Sequence, residues 1–251
     1  MKTIRASLLA VALFTTILAA PAHAAVSDHD LAFHWAPVHY QDTDSSDYDA
    51  DYLSTVDFDG DWNGLNNWEN QTQLAKLTGA AYYSVVETST HWFIVHSFFH
   101  PRDWDDEPDP SGKRTHENDL EGALLTVRRD SGFGTLEAAV TVAHSDFYSY
   151  VPAGSPYRNG AETIDGTLLL VNGRPATRQK AKGHGLYRWD GNNFPGGDGK
   201  DNAANAPWGW DDHDDGAIYR GYLATDPALV VDKYFSNKGS FSLTYTRNAF
   251  R

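Results

Sequence analysis

Short runs of apolar and alternating residues recur along most of the chain, and clusters of Gly, Pro, Asn and Asp separate them. Runs of this length without intervening amphipathic helices are typical of an all-β fold, a single-domain antiparallel β-sandwich with long acidic loops. Asn172-Gly173 lies between two of the runs and predicts a tight hairpin turn of type I′. The predicted strands cover residues 33–40, 80–87, 91–99, 122–128, 135–144, 167–171, 175–179, 216–223 and 240–246.

The run over residues 91–99 is apolar on both faces of an extended chain. A strand with this pattern belongs in the centre of a sheet. His96 lies on one of these faces, where we expect a hydrogen-bonded core histidine rather than a ligand. The helical pattern is weak and is confined to residues 70–77, a stretch that Gly79 would terminate.

Residues 1–24 have the pattern of a secretory signal peptide. Basic residues precede an apolar run over residues 8–20, and residues 22–24 match the A-x-A cleavage site. This apolar run is too short to span a bilayer, and no later run approaches the necessary length. We therefore expect a secreted protein, extracellular or periplasmic, with one folded domain over residues 25–251 and no transmembrane segment.

Composition restricts the possible partners and the source of stability. The formal net charge of −14 makes nucleic acid an unfavourable partner, because a phosphate backbone would be repelled. The chain contains no cysteine, so its stability must come from the apolar core, from bound metal, or from both.

An acidic cluster with one imidazole lies directly before the predicted strand at residues 122–128: His116, Asp119 and Glu121. In an extended chain, Asp119 and Glu121 point to the same face, roughly 7 Å apart at the backbone. Such a group suits a divalent cation. Carboxylate oxygens favour Ca²⁺ or Mg²⁺, and the imidazole leaves Mn²⁺ or Zn²⁺ open. The same groups can also serve as a general acid and base.

Three further histidines, His100, His144 and His184, are candidates for a pocket shared with this cluster. The first two end predicted strands, where the functional loops of a sandwich meet. Gly183 and Gly185 flank His184, which we expect to leave its ring accessible and to let a ligand approach the backbone. We therefore predict that the turn around His184 and the acidic cluster form one pocket.

Three loops have the residue types of binding sites but also fit ordinary solvated loops. Residues 57–61 have the spacing of a calcium loop without the closing Glu of an EF-hand. Residues 66–70 surround a Trp with amides, which suits either a carbohydrate site or a turn with a buried anchor. Residues 207–216 combine aromatic and acidic side chains that can close over a site or bind a second cation.

Two segments resemble the core of the necrosis- and ethylene-inducing-like proteins (the NPP1 family). Residues 98–103, Phe-Phe-His-Pro-Arg-Asp, resemble the Y-F-P-K-D segment of that family, and residues 116–121 resemble its G-H-R-H-D-W-E heptad. The resemblance implies a β-sandwich whose divalent cation helps to engage sugar headgroups of plant sphingolipids, after which membranes leak. The positions that hold this cation correspond here to Asp103, His116, Asp119 and Glu121.

The chain also departs from that pattern. Thr115 replaces the leading Gly, Asn118 the second His and Leu120 the Trp, and the segment between the two motifs is longer. Gly-Arg-Pro at residues 173–175, followed by Gly-His-Gly-Leu-Tyr at residues 183–187, resembles the Vps62-like proteins instead. These carry a related D-W-E segment, a G-R-P strand and a G-x-H-x-x-Y turn.

Two classes of function remain open. The favoured one is a secreted, metal-assisted protein that recognises glycan or glycolipid headgroups and, as the resemblance implies, damages membranes. The other is a metal-assisted hydrolase or lyase acting on a glycan or phosphate ester, in which His100, His144 or His184 transfers a proton. Nucleophilic catalysis has little support, because the chain has no Cys, no G-x-S-x-G and no H-E-x-x-H.

Overall fold

A computed structural model describes residues 26–42, 51, 53–55, 58–60, 65–71, 81–104, 115–160 and 163–191. Several predictions lie wholly or partly outside these residues. They concern the signal peptide, the calcium-like loop at 57–61, the helix at 70–77, the strands at 216–223 and 240–246, and the loop at 207–216.

The described residues form ten strands and two short helices. The helices are α1 (Asp28–Trp35) and α2 (Asn67–Asn70). The strands are β1 (Val38–Gln41), β2 (Ala81–Glu87), β3 (His91–Asp103), β4 (His116–Arg128), β5 (Thr135–Ala143), β6 (Asp146–Pro152), β7 (Ile164–Leu168), β8 (Leu170–Val171), β9 (Arg174–Gln179) and β10 (Leu186–Arg188).

The larger sheet has the strand order β2-β3-β4-β5-β6-β7. Its long central pair, β3 and β4, runs antiparallel from His91 opposite Arg128 to Asp103 opposite His116. Because β3 ends where β4 begins, this pairing carries both segments of the sequence-predicted site to the same end of the sheet. The prediction of a central strand at residues 91–99 is confirmed.

The smaller sheet has the order β1-β9-β10, with β8 also paired to β9. It meets the larger sheet where β10 contacts β4 and β5, and α1 packs against β2, β3 and β9. The predicted all-β sandwich is confirmed. Two of the pairs, β1 with β9 and β6 with β7, are parallel, because in each case the chain crosses over before it returns to the sheet.

The apolar core is built on α1 and the larger sheet. Leu31, Ile94 and Leu125 are completely buried, and Leu186 of β10 closes the same cluster from the smaller sheet. Burial of each such side chain stabilises the fold by about 1.5–3 kcal/mol. In the described residues, no helix is long and apolar enough to cross a membrane.

The predicted strand at residues 33–40 is wrong in its first part, which belongs to helix α1. Ser27 caps this helix by accepting a hydrogen bond from the backbone N–H of Asp30. Asp28 and Asp30 also lie in the first turn, where negative charge is stabilised by the helix dipole. The apolar residues after Ser27 therefore continue a capped helix, and extended structure begins only at Val38.

The predicted hairpin at Asn172-Gly173 is confirmed, because it joins the antiparallel strands β8 and β9. Asn172 has a φ of 51° and Gly173 a φ of 81°. A type I′ turn requires positive φ at both central residues, which Asn and Gly tolerate best.

His96 is a core residue, as expected. Its side chain is completely buried, and its Nε2 lies 3.0 Å from the carbonyl oxygen of Ala32, to which it donates a hydrogen bond. Burial lowers the pKa of His96 to about 4, despite this hydrogen bond.

The lowered pKa of His96 predicts that it makes the fold sensitive to acid. The ordinary pKa is 6.5 and the folded-state pKa is about 4, so the unfolded chain binds the proton first as pH falls. The associated stability is complete above pH 6.5 and is lost as pH falls toward 4. From pH 7 to pH 5 this loss should be about 2 kcal/mol.

The substitution His96→Gln removes this proton-linked loss. Urea unfolding at pH 7 and pH 5 should therefore show a difference between the two pH values that is smaller by about 2 kcal/mol in the variant. His29→Gln, at an exposed site of α1, controls for the substitution itself. The same pH difference in wild type and His96→Gln would contradict the assignment.

Candidate functional site

The register of β3 and β4 positions the candidate site at one end of the sandwich. His100 lies opposite Asp119, and Asp103 lies opposite His116. The side chains of Asp103 and Asp119 are 4% and 0% exposed. Burial of a carboxylate is unfavourable unless hydrogen bonds or opposite charges compensate it, so each needs a nearby partner.

The outer part of the site is a group that we call the His144 cluster: Asp103, His116, Glu121 and His144. Nδ1 of His144 lies 3.5 Å from Oδ2 of Asp103 and 4.0 Å from Oε1 of Glu121. The backbone N–H of His144 donates to the same Oε1 at 2.8 Å. Nε2 of His116 lies 3.6 Å from Oδ2 of Asp103.

Exposure differs sharply within the His144 cluster. The side chain of His144 is 56% exposed and that of His116 is 25% exposed, whereas Asp103 is 4% and Glu121 0% exposed. A molecule arriving from solvent would therefore meet imidazole rings first and find two carboxylates behind them.

The inner part of the site is the His184 bridge, formed by Asp51, His184 and Asp119. Nδ1 of His184 lies 3.0 Å from Oδ2 of Asp119, and Nε2 lies 3.1 Å from Oδ1 of Asp51. All three side chains are 0% exposed. A ring that donates from both nitrogens is protonated, and the bridge is then a positive charge between two carboxylates.

The pKa of His184 agrees with this charge state. Burial alone would lower the pKa, but the hydrogen bonds and charges of Asp119 and Asp51 outweigh burial and raise it to about 9. The backbone N–H of Lys182 adds a further hydrogen bond to Oδ1 of Asp51 at 2.8 Å.

His100 lies directly against the bridge. Its ring stacks on that of His184, with centroids 3.7 Å apart and planes 5° from parallel. Nε2 of His100 lies 3.0 Å from Oε1 of Gln179, and Nε2 of Gln179 donates to the carbonyl oxygen of His184 at 2.7 Å. Burial, followed by the charge of His184, lowers the pKa of His100 well below its usual value, so a neutral ring stacks on a charged one.

Left-handed backbone conformations concentrate at this site. Asn118, His144, Lys182 and His184 have φ values of 65°, 56°, 66° and 46°. The remaining non-glycine residue with positive φ in the described chain is Asn172 of the hairpin. Conformations of this kind are uncommon for His and Lys and cost of order 1–3 kcal/mol each, and they cluster at functional sites in proteins.

The expected role of the two glycines beside His184 is wrong. A Cβ atom on Gly183 would lie 2.9 Å from Cε1 of His144, and one on Gly185 would lie 3.1 Å from Cβ of Ala143. The glycines therefore make room for neighbouring protein atoms, not for a ligand. The expected accessibility of the His184 ring is also wrong, because its charge is stabilised by turning inward between two carboxylates.

His184 contacts Asp119, so the His184 turn and the acidic cluster lie together, and their forming one ligand pocket stays a prediction. The seven predicted site residues all come to one end of the β3–β4 pair, but they divide into two groups. His100, Asp119 and His184 are buried, and Asp103, His116, Glu121 and His144 form the cluster that opens to solvent.

Metal ligation by Asp103, His116, Asp119 and Glu121 stays a prediction. As the side chains stand, no three His, Asp or Glu residues within the described ranges are arranged to hold a metal ion. Asp119 contributes one observation in favour of a cation. Its Oδ2 receives the bond from His184, but its Oδ1 is buried and has no hydrogen-bond partner among the described residues.

Sequence reasoning did not identify Asp51 as a site residue. It lies in an acidic stretch from residue 42 to residue 51, and no local pattern distinguishes Asp51 as the partner of His184. Asp51 belongs to the site because it contacts His184, which is 133 residues away in sequence.

The amide-rich segment at residues 66–70 contacts the first residues of β4 and so stabilises the fold there. Nδ2 of Asn67 donates to Oδ1 of Asn118 at 2.5 Å, and the backbone N–H of Trp68 donates to Oε1 of Glu117 at 3.1 Å. The guanidinium of Arg102 lies over the rings of both Trp68 and Trp104, 4.6 Å from each centroid. These contacts agree with a turn that is anchored by a tryptophan.

The close packing of Gly183 against His144 predicts the effect of Gly183→Ala. The added methyl group must displace the exposed His144 ring, which can swing into solvent, so the free energy of unfolding should change by less than about 1 kcal/mol. The ring should leave Asp103, and its NMR resonances should shift. Gly160→Ala is the matched control, because the nearest atom to a Cβ there is 3.9 Å away. Unchanged His144 resonances in Gly183→Ala would contradict this packing.

Comparisons with known proteins give structural likeness without likeness in sequence. No family model matches the chain, and no curated protein resembles it in sequence. Among solved structures, it is similar to the Necrosis and Ethylene inducing Protein 2 from the causal agent of cocoa's Witches Broom disease, with 17% identity, 70% of this chain and 73% of that chain covered, and a TM-score of 0.40.

Two further solved structures show likeness of the same order. One is described as a toxin fold as basis for microbial attack and plant defense (15% identity, 68% and 71% of the two chains covered, TM-score 0.43). The other is NLPPya in complex with mannosamine (16% identity, 65% and 68% covered, TM-score 0.39). Because these identities and TM-scores are low, the function proposed for this chain rests on its own residues.

Proposed function

We propose that the chain is a secreted recognition protein that binds a glycan or glycolipid headgroup at the His144 cluster with the help of a divalent cation. The observation that carries this proposal is the layered arrangement of the cluster. The half-exposed ring of His144 lies over the buried carboxylates of Asp103 and Glu121. Imidazole and carboxylate groups are the hydrogen-bonding partners that sugar hydroxyls require.

The burial of two candidate proton carriers favours binding over catalysis. A general acid or base must come within hydrogen-bond distance of the proton that it transfers. His100 and His184 are 0% exposed and are held by Gln179 and by the two carboxylates of the bridge. Of the three histidines, His144 alone is open to solvent, so a hydrolase or lyase would depend on that one ring.

A divalent cation fits the chemistry of the donors. Asp103 and Glu121 both lie within 4.0 Å of the same nitrogen of His144, and positive charge there would offset their mutual repulsion. In this proposal Asp103, His116 and Glu121 hold the cation, together with the Oδ1 atom of Asp119 that has no hydrogen-bond partner among the described residues. When bound, the cation would supply a positive centre that attracts sugar hydroxyl oxygens.

The net negative charge of the protein affects how it would bind a membrane. A net charge of −14 opposes adsorption to an anionic lipid surface. Attachment to a membrane therefore requires a specific headgroup contact, which the His144 cluster would provide. In this proposal, leakage of the membrane follows attachment.

Removal of one carboxylate should abolish cation binding. Asp103→Asn keeps the shape of the side chain but removes its charge, so calorimetric titration with Ca²⁺ and Mg²⁺ should show binding to wild type and none to the variant. Saturation of wild type at a hundredfold excess over Kd should stabilise it by about 2.7 kcal/mol, and EDTA should reverse this. Asp130→Asn is the control, because Asp130 lies on the β4–β5 turn at the other end of β4.

The effect on membranes should change in these two variants in the same way as cation binding. Dye leakage from vesicles that contain a glycosylated sphingolipid should require the cation, persist in Asp130→Asn and disappear in Asp103→Asn and in vesicles without the glycolipid. Binding of no divalent cation by wild type would contradict the proposal. Multiple turnovers of a polysaccharide that His144→Ala abolishes, without leakage, would favour the hydrolase instead.

A further inference from the structure

Two basic side chains that pair with no carboxylate among the described residues lie together on this acidic protein. The chain has 34 acidic and 20 basic residues, and Arg128 and Arg129 each pair with a carboxylate. Arg178 and Lys180 form no ion pair among the described residues and instead lie over the ring of Tyr187. Positive charge that no described carboxylate neutralises can attract an external anion.

These side chains and two tyrosines form a continuous surface. Nζ of Lys180 lies 5.3 Å and Cζ of Arg178 lies 5.9 Å from the ring centroid of Tyr187. The ring of Tyr148 lies 5.1 Å from that of Tyr187. We call this surface the Tyr187 strip, defined by Tyr148, Arg178, Lys180 and Tyr187.

The Tyr187 strip adjoins the His144 cluster. A Cβ atom on Gly185 would lie 3.1 Å from Cβ of Ala143 and 3.3 Å from the ring of Tyr187. Ala143 directly precedes His144, so one glycine separates the strip from the strand end that carries the exposed imidazole. The backbone N–H of Lys180 donates to the carbonyl oxygen of Gly185 at 3.2 Å, which fixes the strip to the turn that carries His184.

We propose that the Tyr187 strip is a subsite for an anionic sugar residue, carrying a carboxylate or a sulfate, next to the sugar held at the His144 cluster. This inference rests on the proposed function and names its ligand class. The faces of Tyr187 and Tyr148 suit the C–H face of a sugar ring. Lys180 and Arg178 supply charge-assisted hydrogen bonds to the anion.

An unused donor supports this subsite. Nε of Arg178 is buried and has no hydrogen-bond partner among the described residues. A buried N–H group without a partner is unfavourable, and an anion placed beside it would satisfy it.

The net negative charge of the chain favours a small anion over an extended polyanion at the strip. This net charge repels an anion at long range, but salt screens the repulsion beyond about 8–10 Å. The anion would therefore be recognised at contact distance. Burial, followed by the neighbouring Tyr148, raises the pKa of Tyr187 to about 12, so this ring carries no charge that would repel it.

The test compares three probes that differ only in charge: a gluco-oligosaccharide, the same compound carrying a 6-sulfate, and the same compound oxidised to a carboxylate at C6. Calorimetry should show that wild type binds at least one charged probe about tenfold more tightly than the neutral one, which is the size of one charge-assisted hydrogen bond. This advantage should decline as salt is raised.

Variants separate the strip from the rest of the site. Lys180→Gln and Arg178→Gln should each reduce the advantage severalfold and leave affinity for the neutral probe unchanged. Arg158→Gln is the matched control, because this arginine lies in the loop after β6 and bonds to backbone carbonyls. Lys180 is exposed, so its variant should fold even where that of Arg178 does not.

Two outcomes would overturn the subsite. One is equal affinity for all three probes, or an advantage that survives in both variants. The other is equal competition by vesicles of anionic phospholipid without sugar, which would make the strip a general anion site. Failure of the proposed function is distinguishable from both, because it would appear as loss of all binding to the neutral probe and indifference to Asp103→Asn.

Discussion

The buried contact of His184 with Asp51 and Asp119 is the constraint on which this end of the sandwich depends. Three ionisable side chains that are 0% exposed are stable together because a protonated ring lies between two carboxylates. Removal of one partner from such a group leaves a buried charge uncompensated, which costs about 3–5 kcal/mol. The bridge therefore holds the turn at residues 180–186 against β4, and holds Asp51 against both.

The bridge also determines where the exposed part of the site lies. The turn that carries His184 places Gly183 against the ring of His144, and that ring lies beside Asp103 and Glu121. His184 and His144 both have left-handed backbone, and the electrostatic energy of the bridge offsets part of that strain. The site thus has a buried charged interior and an accessible exterior.

Sequence reasoning could predict the features that depend on local pattern. The apolar run of β3 and the Asn172-Gly173 turn follow from side-chain alternation and turn chemistry, whereas Asp103 was assigned to the site only by the family resemblance. Helix α1 was not predicted, because the residues after Ser27 have a pattern that suggested an extended strand. In the structure, the cap at Ser27 favours a helix there instead.

The missing parts of the site depend on contacts between distant segments. Asp51 is selected from an acidic stretch by a ring 133 residues away, which no local pattern reveals. The inward orientation of His184 follows from the same contact. Gly183 and Gly185 were expected to admit a ligand, but protein atoms fill the space beside them.

The most direct test of this account is a double-mutant cycle on the free energy of unfolding, using His184→Gln and Asp119→Asn. Each single variant should lose several kcal/mol, because each leaves a buried group without its partner. The double variant should lose much less than the sum, with a coupling energy of about 2 kcal/mol or more. Additive losses would show that the two side chains act independently, and would contradict the bridge as the interaction that holds this site together.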